Sequence, residues 1–121
     1  MDGHTVVVDA INSSFFLLDY RFHIDLAAGE EAGPLLASMM AWQNEGYFDA
    51  FTEGGKPYGQ PYSYMQWPVE HEDGSRSIHF AVEVYPEAAL PESLTFVPYT
   101  RQGFGYEKEY HEDAAFTIPL E

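Results

Sequence analysis

The sequence contains no cysteine. Without thiols the chain has no disulfide framework, no thiolate nucleophile and no cysteine-based zinc or iron–sulfur site. This absence does not decide the compartment, because disulfide-free domains occur in the cytosol and also on the outside of many bacteria.

Basic residues are scarce as well. Five Lys and Arg stand against 20 Asp and Glu, which gives a formal net charge of −15 at pH 7. A surface of this sign repels phosphate backbones and anionic lipid surfaces. We therefore expect neither nucleic acid nor a membrane surface as a partner.

Long apolar runs are also missing. The uncharged stretch 32–44 is far shorter than the run of about 20 apolar residues that spans a bilayer. A chain of 121 residues with 45% hydrophobic residues still has enough apolar material for one core, which excludes disorder. We expect a single domain over residues 1–121 with no membrane insertion by this segment; if the domain is exported, it was excised from a longer membrane-anchored protein.

What the sequence does have is a pattern of strands in its first third. Apolar and polar residues alternate most clearly from Phe16 to Leu26, which predicts a half-buried strand. The β-branched segment Thr5–Ala10 predicts a strand before it, and Ile11–Ser14 predicts the turn of a hairpin between the two. The segment Pro34–Trp42 has leucines and methionines at helical spacing and predicts one short helix, with a strand as the alternative.

Turn signals divide the rest of the chain. Glu53–Lys56 and Glu72–Ser75 predict hairpin turns, and the proline-rich segment Pro57–Pro68 predicts an irregular edge strand. Further strands are predicted over Tyr47–Thr52, Ile78–Val84, Leu94–Tyr99 and Phe116–Leu120. About seven short strands at intervals of about ten residues predict an all-β fold, an antiparallel β-sandwich with Greek-key connections and at most one or two short helices.

Short motifs in this order resemble a bacterial family. They are Val6–Ile11, Leu18–Phe22, Gly54–Lys56, Leu90–Phe96 and Phe116–Leu120. The family is the uncharacterised immunoglobulin-like ectodomain of predicted anti-sigma-factor-type membrane proteins in Gram-positive bacteria. The resemblance implies an immunoglobulin-like sandwich at the bacterial cell surface, and it supplies no catalytic residues.

Two identical triplets suggest a metal site. His71–Asp73 and His111–Asp113 could supply imidazole and oxygen ligands if their loops lay together. However, the sequence has no EF-hand spacing, and adjacent residues of a strand point to opposite faces. We interpret both triplets as solvated turns and expect no metal and no cofactor.

Catalytic patterns are weak. With 20 carboxylates, some pair will have the spacing for glycoside hydrolysis by chance, and nothing in the sequence selects one. The chain also lacks the Gly-x-Ser-x-Gly elbow of serine hydrolases. We therefore expect a protein without enzymatic activity, and rank an orphan hydrolase third among the functions considered.

Tyrosine is abundant in this sequence, and its positions indicate more about a possible function than those of the acidic residues do. Tyr58, Tyr62 and Tyr64 are predicted to share one face of an extended segment, with Trp67 on the other face. Such rings stack on sugars and anchor protein partners, and we take these three tyrosines as the candidate ligand-binding residues. The alternative is that they fill the core and shield the edge of a sheet.

Together these observations predict a non-enzymatic, extracytoplasmic sensory or interaction domain of an anti-sigma-type membrane protein. The alternative function is a carbohydrate-binding or adhesive β-sandwich module. The expected partner is a protein or a neutral glycan. A cytoplasmic location stays open on the sequence alone.

Calcium gives the first test. If the acidic turns are only solvated, millimolar Ca²⁺ should shift the melting temperature no more than NaCl of the same ionic strength, because only binding to the native state stabilises by mass action. A saturable shift in differential scanning fluorimetry that disappears on substitution of His71 or Asp73 would contradict this interpretation.

Overall fold

Strands dominate the computed structural model, which describes residues 1, 3–14, 16–41, 44–87, 90–103 and 105–120. The strands are β1 (Val7–Ser13), β2 (Leu18–Leu26), β3 (Phe48–Phe51), β4 (Tyr62–Met65), β5 (Val69–Glu70), β6 (Arg76–Val84), β7 (Ser93–Thr100), β8 (Glu109–Tyr110) and β9 (Phe116–Pro119). One α-helix, α1 (Pro34–Met40), lies between β2 and β3, and a 3₁₀ turn (Glu112–Ala114) lies between β8 and β9. No helix in these ranges is long and apolar enough to cross a bilayer.

The strands form two antiparallel sheets. The first has the order β1-β2-β6-β4, and β5 follows β4 along the same partner strand β6. The second has β7 at its centre, with β3 on one side and β8 and β9 on the other. If β4 with β5 and β8 with β9 each count as one interrupted strand, the sandwich has seven strands. Their order is that of a constant-type immunoglobulin domain, A-B-E-D against C-F-G. The predicted sandwich is confirmed.

Alternation in β2 and β6 sets the inner and outer faces of the first sheet. In β2 every second residue from Leu18 to Leu26 is fully buried, and in β6 the same holds for the even-numbered residues from Ile78 to Val84. The two strands pair without a shift over nine residues. Because side chains alternate between faces, all odd-numbered residues of both strands lie on the outer face.

An aromatic cluster joins the two sheets. Phe22 of β2 contacts Phe80 in its own sheet and three phenylalanines of the second sheet, with all four ring centroids within 6.2 Å. Those three are Phe48, Phe96 and Phe116. Edge-to-face contacts such as Phe22–Phe48 add to the free energy gained by burial. Phe22 is the residue that most directly couples one sheet to the other.

The predicted position of the first hairpin turn needs correction. Ile11, Asn12 and Ser13 belong to β1 rather than to a turn. The turn lies later because the hydroxyl of Ser14 accepts hydrogen bonds from the backbone N–H groups of Phe16 and Leu17, which closes the chain at that point.

The short helix was predicted correctly, and its strand alternative is wrong over Pro34–Met40. Leu36 and Met39 are buried against the core, so this helix covers one part of it. The predicted end of the helix at Trp42 lies outside the described residues.

The prolines of the predicted edge segment behave as expected. The segment 57–68 contributes only β4, which lies at the edge of the first sheet. Proline cannot donate to a ladder, and Pro61 and Pro68 directly precede the short strands β4 and β5.

Truncating Phe22 should lower the free energy of unfolding far more than truncating an exposed aromatic ring. Phe22→Ala removes three aromatic contacts between the sheets and leaves a cavity, so we expect a loss of about 3–5 kcal/mol in the free energy of unfolding. Tyr85→Ala, at a largely exposed ring, should change it by about 0.5 kcal/mol or less. Urea unfolding followed by circular dichroism measures both, and equal losses would contradict this account of the core.

Candidate functional site

The outer face of the first sheet carries a row of polar side chains. In-register pairing of β2 with β6 places His23 directly opposite His79, and Asp25 directly opposite Ser77. The two imidazole rings are neighbours in a tilted arrangement, with centroids 5.0 Å apart and planes inclined by 33°. The pairing thus brings together two histidines that are 56 positions apart in the sequence.

A β-bulge adds a carboxylate to this pair. Val8 pairs with Phe22 and Ala10 with Arg21, so Asp9 is an extra residue in β1 with no partner of its own in the ladder. Bulges redirect the side chain of the extra residue. Here the carboxylate oxygens of Asp9 lie 2.7 and 2.9 Å from Nδ1 of His23, and Oδ2 lies 3.8 Å from Nδ1 of His79.

The network continues along the sheet on the other side of His23. Its Nε2 lies 3.3 Å from Oδ2 of Asp25, and Oδ1 of Asp25 accepts a hydrogen bond of 2.7 Å from the hydroxyl of Ser77. Nε2 of His71 lies 2.8 Å from the same hydroxyl. A serine hydroxyl has one proton, and Ser77 donates it in the hydrogen bond to Asp25. In the contact between His71 and Ser77, Nε2 of His71 is therefore the donor. This is not the arrangement of an activated nucleophile, in which histidine accepts the serine proton.

Charges in the network shift two pKa values. The hydrogen bond that His23 donates to the carboxylate of Asp9 raises the pKa of His23, and the charges of Asp9 and Asp25 act in the same direction against the opposing effect of burial. The hydrogen bond from Ser77 lowers the pKa of Asp25, with the neighbouring His23 adding to the effect. Both shifts favour the charged form of the group, the imidazolium of His23 and the carboxylate of Asp25.

Asp9, His23 and His79 together have the donor set of a metal site. One ligand atom from each of the three lies within 4.8 Å of the other two, and none of the three side chains is fully buried. Among the residues that the structure describes, no other group of three or more histidine and acidic side chains comes together in this way. It includes neither of the two His-Glu-Asp triplets.

The triplets do not form a shared site. His71 bonds to Ser77 on the first sheet, whereas His111 lies 3.2 Å from the hydroxyl of Thr100 on the second. Asp73 accepts hydrogen bonds from the backbone and side chain of Ser75 within its own turn.

The structure separates the three candidate tyrosines. Tyr58 is 3% exposed and belongs to the core, where its hydroxyl accepts a hydrogen bond from the backbone N–H of Glu87. The expectation that Tyr58 shares a face with the other two is therefore wrong, because it precedes the strand β4 that orients them. Tyr62 and Tyr64 do lie together on the outer face, with ring centroids 5.7 Å apart.

Further contacts define the surroundings of this tyrosine pair. Tyr64 accepts a hydrogen bond of 3.4 Å from the guanidinium of Arg21, which also bonds to Asp19. Tyr62 is 63% exposed and Trp67 is 87% exposed.

A second polar cluster lies on the other sheet, and its members form hydrogen bonds with one another. Asp49 of β3 accepts hydrogen bonds of 2.9 Å from Lys108 and 2.6 Å from the hydroxyl of Tyr110. Burial and the bonded carboxylate raise the pKa of Tyr110. The ammonium of Lys108 also lies over the ring of Tyr99. These contacts hold the segment before β8 against the second sheet, which is a structural role.

The sequence contained part of the signal for the histidine cluster. The alternation in β2 and β6 already places His23 and His79 on outward-facing positions. It does not give the register between strands 50 residues apart, nor the bulge in the run Val7-Val8-Asp9-Ala10, which reads as a regular strand.

Comparison of the chain with protein-family models, with curated proteins and with solved structures gave no match in any of the three. The resemblance to the ectodomain family therefore stays a prediction from the sequence.

The raised pKa of His23 leads to a pH dependence of stability. A group whose pKa is higher in the folded than in the unfolded chain stabilises fully below its unfolded pKa of about 6.5, and this contribution is lost as pH rises through the folded value. In metal-free protein with a chelator present, the free energy of unfolding should fall between about pH 6 and 8 by more in the wild type than in His23→Gln. His111→Gln is the matched control, and its free energy of unfolding should decrease over this pH range as much as that of the wild type. Urea unfolding at both pH values measures it, and equal slopes in wild type and His23→Gln would show that the contact with Asp9 does not contribute.

Proposed function

We propose that the chain is a non-enzymatic binding domain, the extracytoplasmic interaction part of a membrane protein of the anti-sigma type, and that it binds a protein partner. The location and the anti-sigma context come from the sequence resemblance. The binding role is supported by the outer face of the first sheet, since function has to be argued from a site and not from a sandwich fold.

The observation that carries the proposal is an exposed aromatic strip. We use this name for Tyr62, Tyr64 and Val69, which lie on the interrupted edge strand β4–β5, and for the exposed Trp67 in the connection between its two parts. Tyr62 at one end pairs with Glu83 of β6 and Val69 at the other end with Ser77, so the strip extends over about 20 Å at the usual rise of a strand. Trp67 and Tyr62 expose most of their side chains there.

The composition of the strip is that of a protein interface. Tyr, Trp and Arg are the residue types most often found to dominate binding energies, and Arg21 lies beside Tyr64. The hydrogen bond between these two fixes both side chains before a partner arrives, which lowers the entropy lost on binding.

Charge narrows the class of partner. With a net charge of −15, the domain attracts a basic protein surface and repels an acidic one. The same argument disfavours sulfated or phosphorylated glycans.

A neutral glycan is the second candidate. The neighbouring rings of Tyr62 and Tyr64 offer apolar faces on which a sugar ring can stack, and Arg21 provides donors for its hydroxyl groups.

Site-specific crosslinking tests the protein partner. Tyr62 is replaced by the photoreactive benzoylphenylalanine in one version of the domain and Tyr85 in another, and both are irradiated in contact with envelope proteins. We expect a protein that crosslinks from position 62 and not from position 85. This protein is then purified, and its affinity is measured by calorimetry for the wild type, for Tyr62→Ala/Trp67→Ala, and for the control Tyr85→Ala/Tyr106→Ala, which truncates exposed rings elsewhere.

Losing the two most exposed aromatic residues of the strip should weaken binding by at least about 30-fold, which corresponds to about 2 kcal/mol, while the control should bind like the wild type. Insoluble cell-wall polysaccharide is tested in parallel by co-sedimentation. Sedimentation that the strip variant abolishes would replace the protein by a glycan. Equal affinities for the strip and control variants would overturn the strip as the binding surface.

A further inference from the structure

We propose that Asp9, His23 and His79 bind a divalent transition-metal ion of the zinc type. The ion would lie on the outer face of the first sheet and would join β1, β2 and β6. The argument uses neither the aromatic strip nor the identity of a partner, so it stands apart from the proposed function.

The geometry of the cluster is close to what such an ion needs. Ligand atoms around a tetrahedral Zn²⁺ with bonds of 2.0–2.1 Å lie about 3.3 Å from one another. In the structure one oxygen of Asp9, Oδ2, is 2.9 Å from Nδ1 of His23 and 3.8 Å from Nδ1 of His79. These two separations lie on either side of the required value, so small rotations of the three side chains suffice.

The surroundings of His23 fit a metal ligand. A histidine that binds a metal through one ring nitrogen usually donates the N–H of the other to a carboxylate, which fixes its tautomer and orientation. His23 has this arrangement: Nδ1 faces Asp9 and His79, while Nε2 faces Asp25. Asp25 is itself held by the hydroxyl of Ser77, so the supporting carboxylate also has a fixed position.

The backbone holds the ligands in place. His23 and His79 are directly paired in the middle of a nine-residue ladder, where register cannot slip without exposing the buried face. Asp9 reaches them because the bulge turns its side chain out of the regular alternation. His23 and His79 thus lie on the central strands β2 and β6, and Asp9 lies in the bulge of β1.

The donor types select the ion. Two imidazoles with one carboxylate suit Zn²⁺, Co²⁺, Ni²⁺ or Fe²⁺, whereas Ca²⁺ and Mg²⁺ prefer all-oxygen sites. Three protein ligands leave a coordination position for water or for a donor atom of a bound molecule. A cavity of about 250 Å³, lined by Asp9, His79, Arg21 and Gln66 among others, adjoins the cluster and has room for it.

Calorimetry with metal salts is the test. Wild-type protein is freed of metal with a chelator, dialysed, and titrated with ZnCl₂ in buffer that contains millimolar Mg²⁺ to occupy unspecific carboxylates. We expect one saturable event with one ion per chain. Asp9→Asn and His79→Gln should each abolish it, and His111→Gln, a histidine on the other sheet, should leave it unchanged.

The supporting role of Asp25 has its own readout. Asp25→Asn keeps all three ligands and should weaken Zn²⁺ binding by about 10- to 100-fold. Long-range ¹H–¹⁵N spectra of the histidine side chains should show the metal on Nδ1 of both His23 and His79, with the proton of His23 on Nε2.

Three results would overturn the site. They are the absence of a saturable zinc event in the wild type, an event that survives both Asp9→Asn and His79→Gln, and a metal signal on Nε2 of either histidine. Circular dichroism of each variant checks that it is folded, and because these side chains lie outside the core, we expect wild-type spectra.

Discussion

Contact between Phe22 and the phenylalanines of the opposite sheet is the interaction on which the fold depends. Constant-type immunoglobulin domains usually join strands B and F by a disulfide, with a tryptophan of strand C packed against it. This chain has no cysteine, and Phe22, Phe96 and Phe48 lie on the corresponding strands β2, β7 and β3. Aromatic packing replaces the covalent link, so the domain does not depend on an oxidising environment for its core.

The same strand that contributes Phe22 to the core builds the outer face. Because the buried side chains of β2 fix its position, they also fix the side chains on its outer face. In-register pairing with β6 then places these outer side chains opposite one another, His23 opposite His79 and Asp25 opposite Ser77. The histidine cluster and the hydrogen bonds of Asp25 are consequences of this pairing. The chemistry of the surface is therefore set by packing in the interior.

The fold was largely predictable from the sequence, and the site was not. Alternation from Phe16 to Leu26 and the Asp-Gly turn before β6 are local signals, and both strands formed as predicted. By contrast, the approach of His23 to His79 depends on a long-range register, and the position of Asp9 depends on a bulge that no residue type announces. Tyr58 was misplaced for a related reason, because its burial is decided by contacts outside its own segment, such as that with Glu87.

Strand β1 gives the histidine cluster a dynamic property. It is an edge strand that pairs only with β2, and none of its residues is fully buried. Segments of this kind open at a lower free energy than the rest of a domain. Asp9 is present in the cluster only while β1 is docked, so the apparent affinity for any ligand of the cluster scales with the docked population of this strand. A perturbation that releases the N-terminal strand would switch the cluster off and leave both histidines in place.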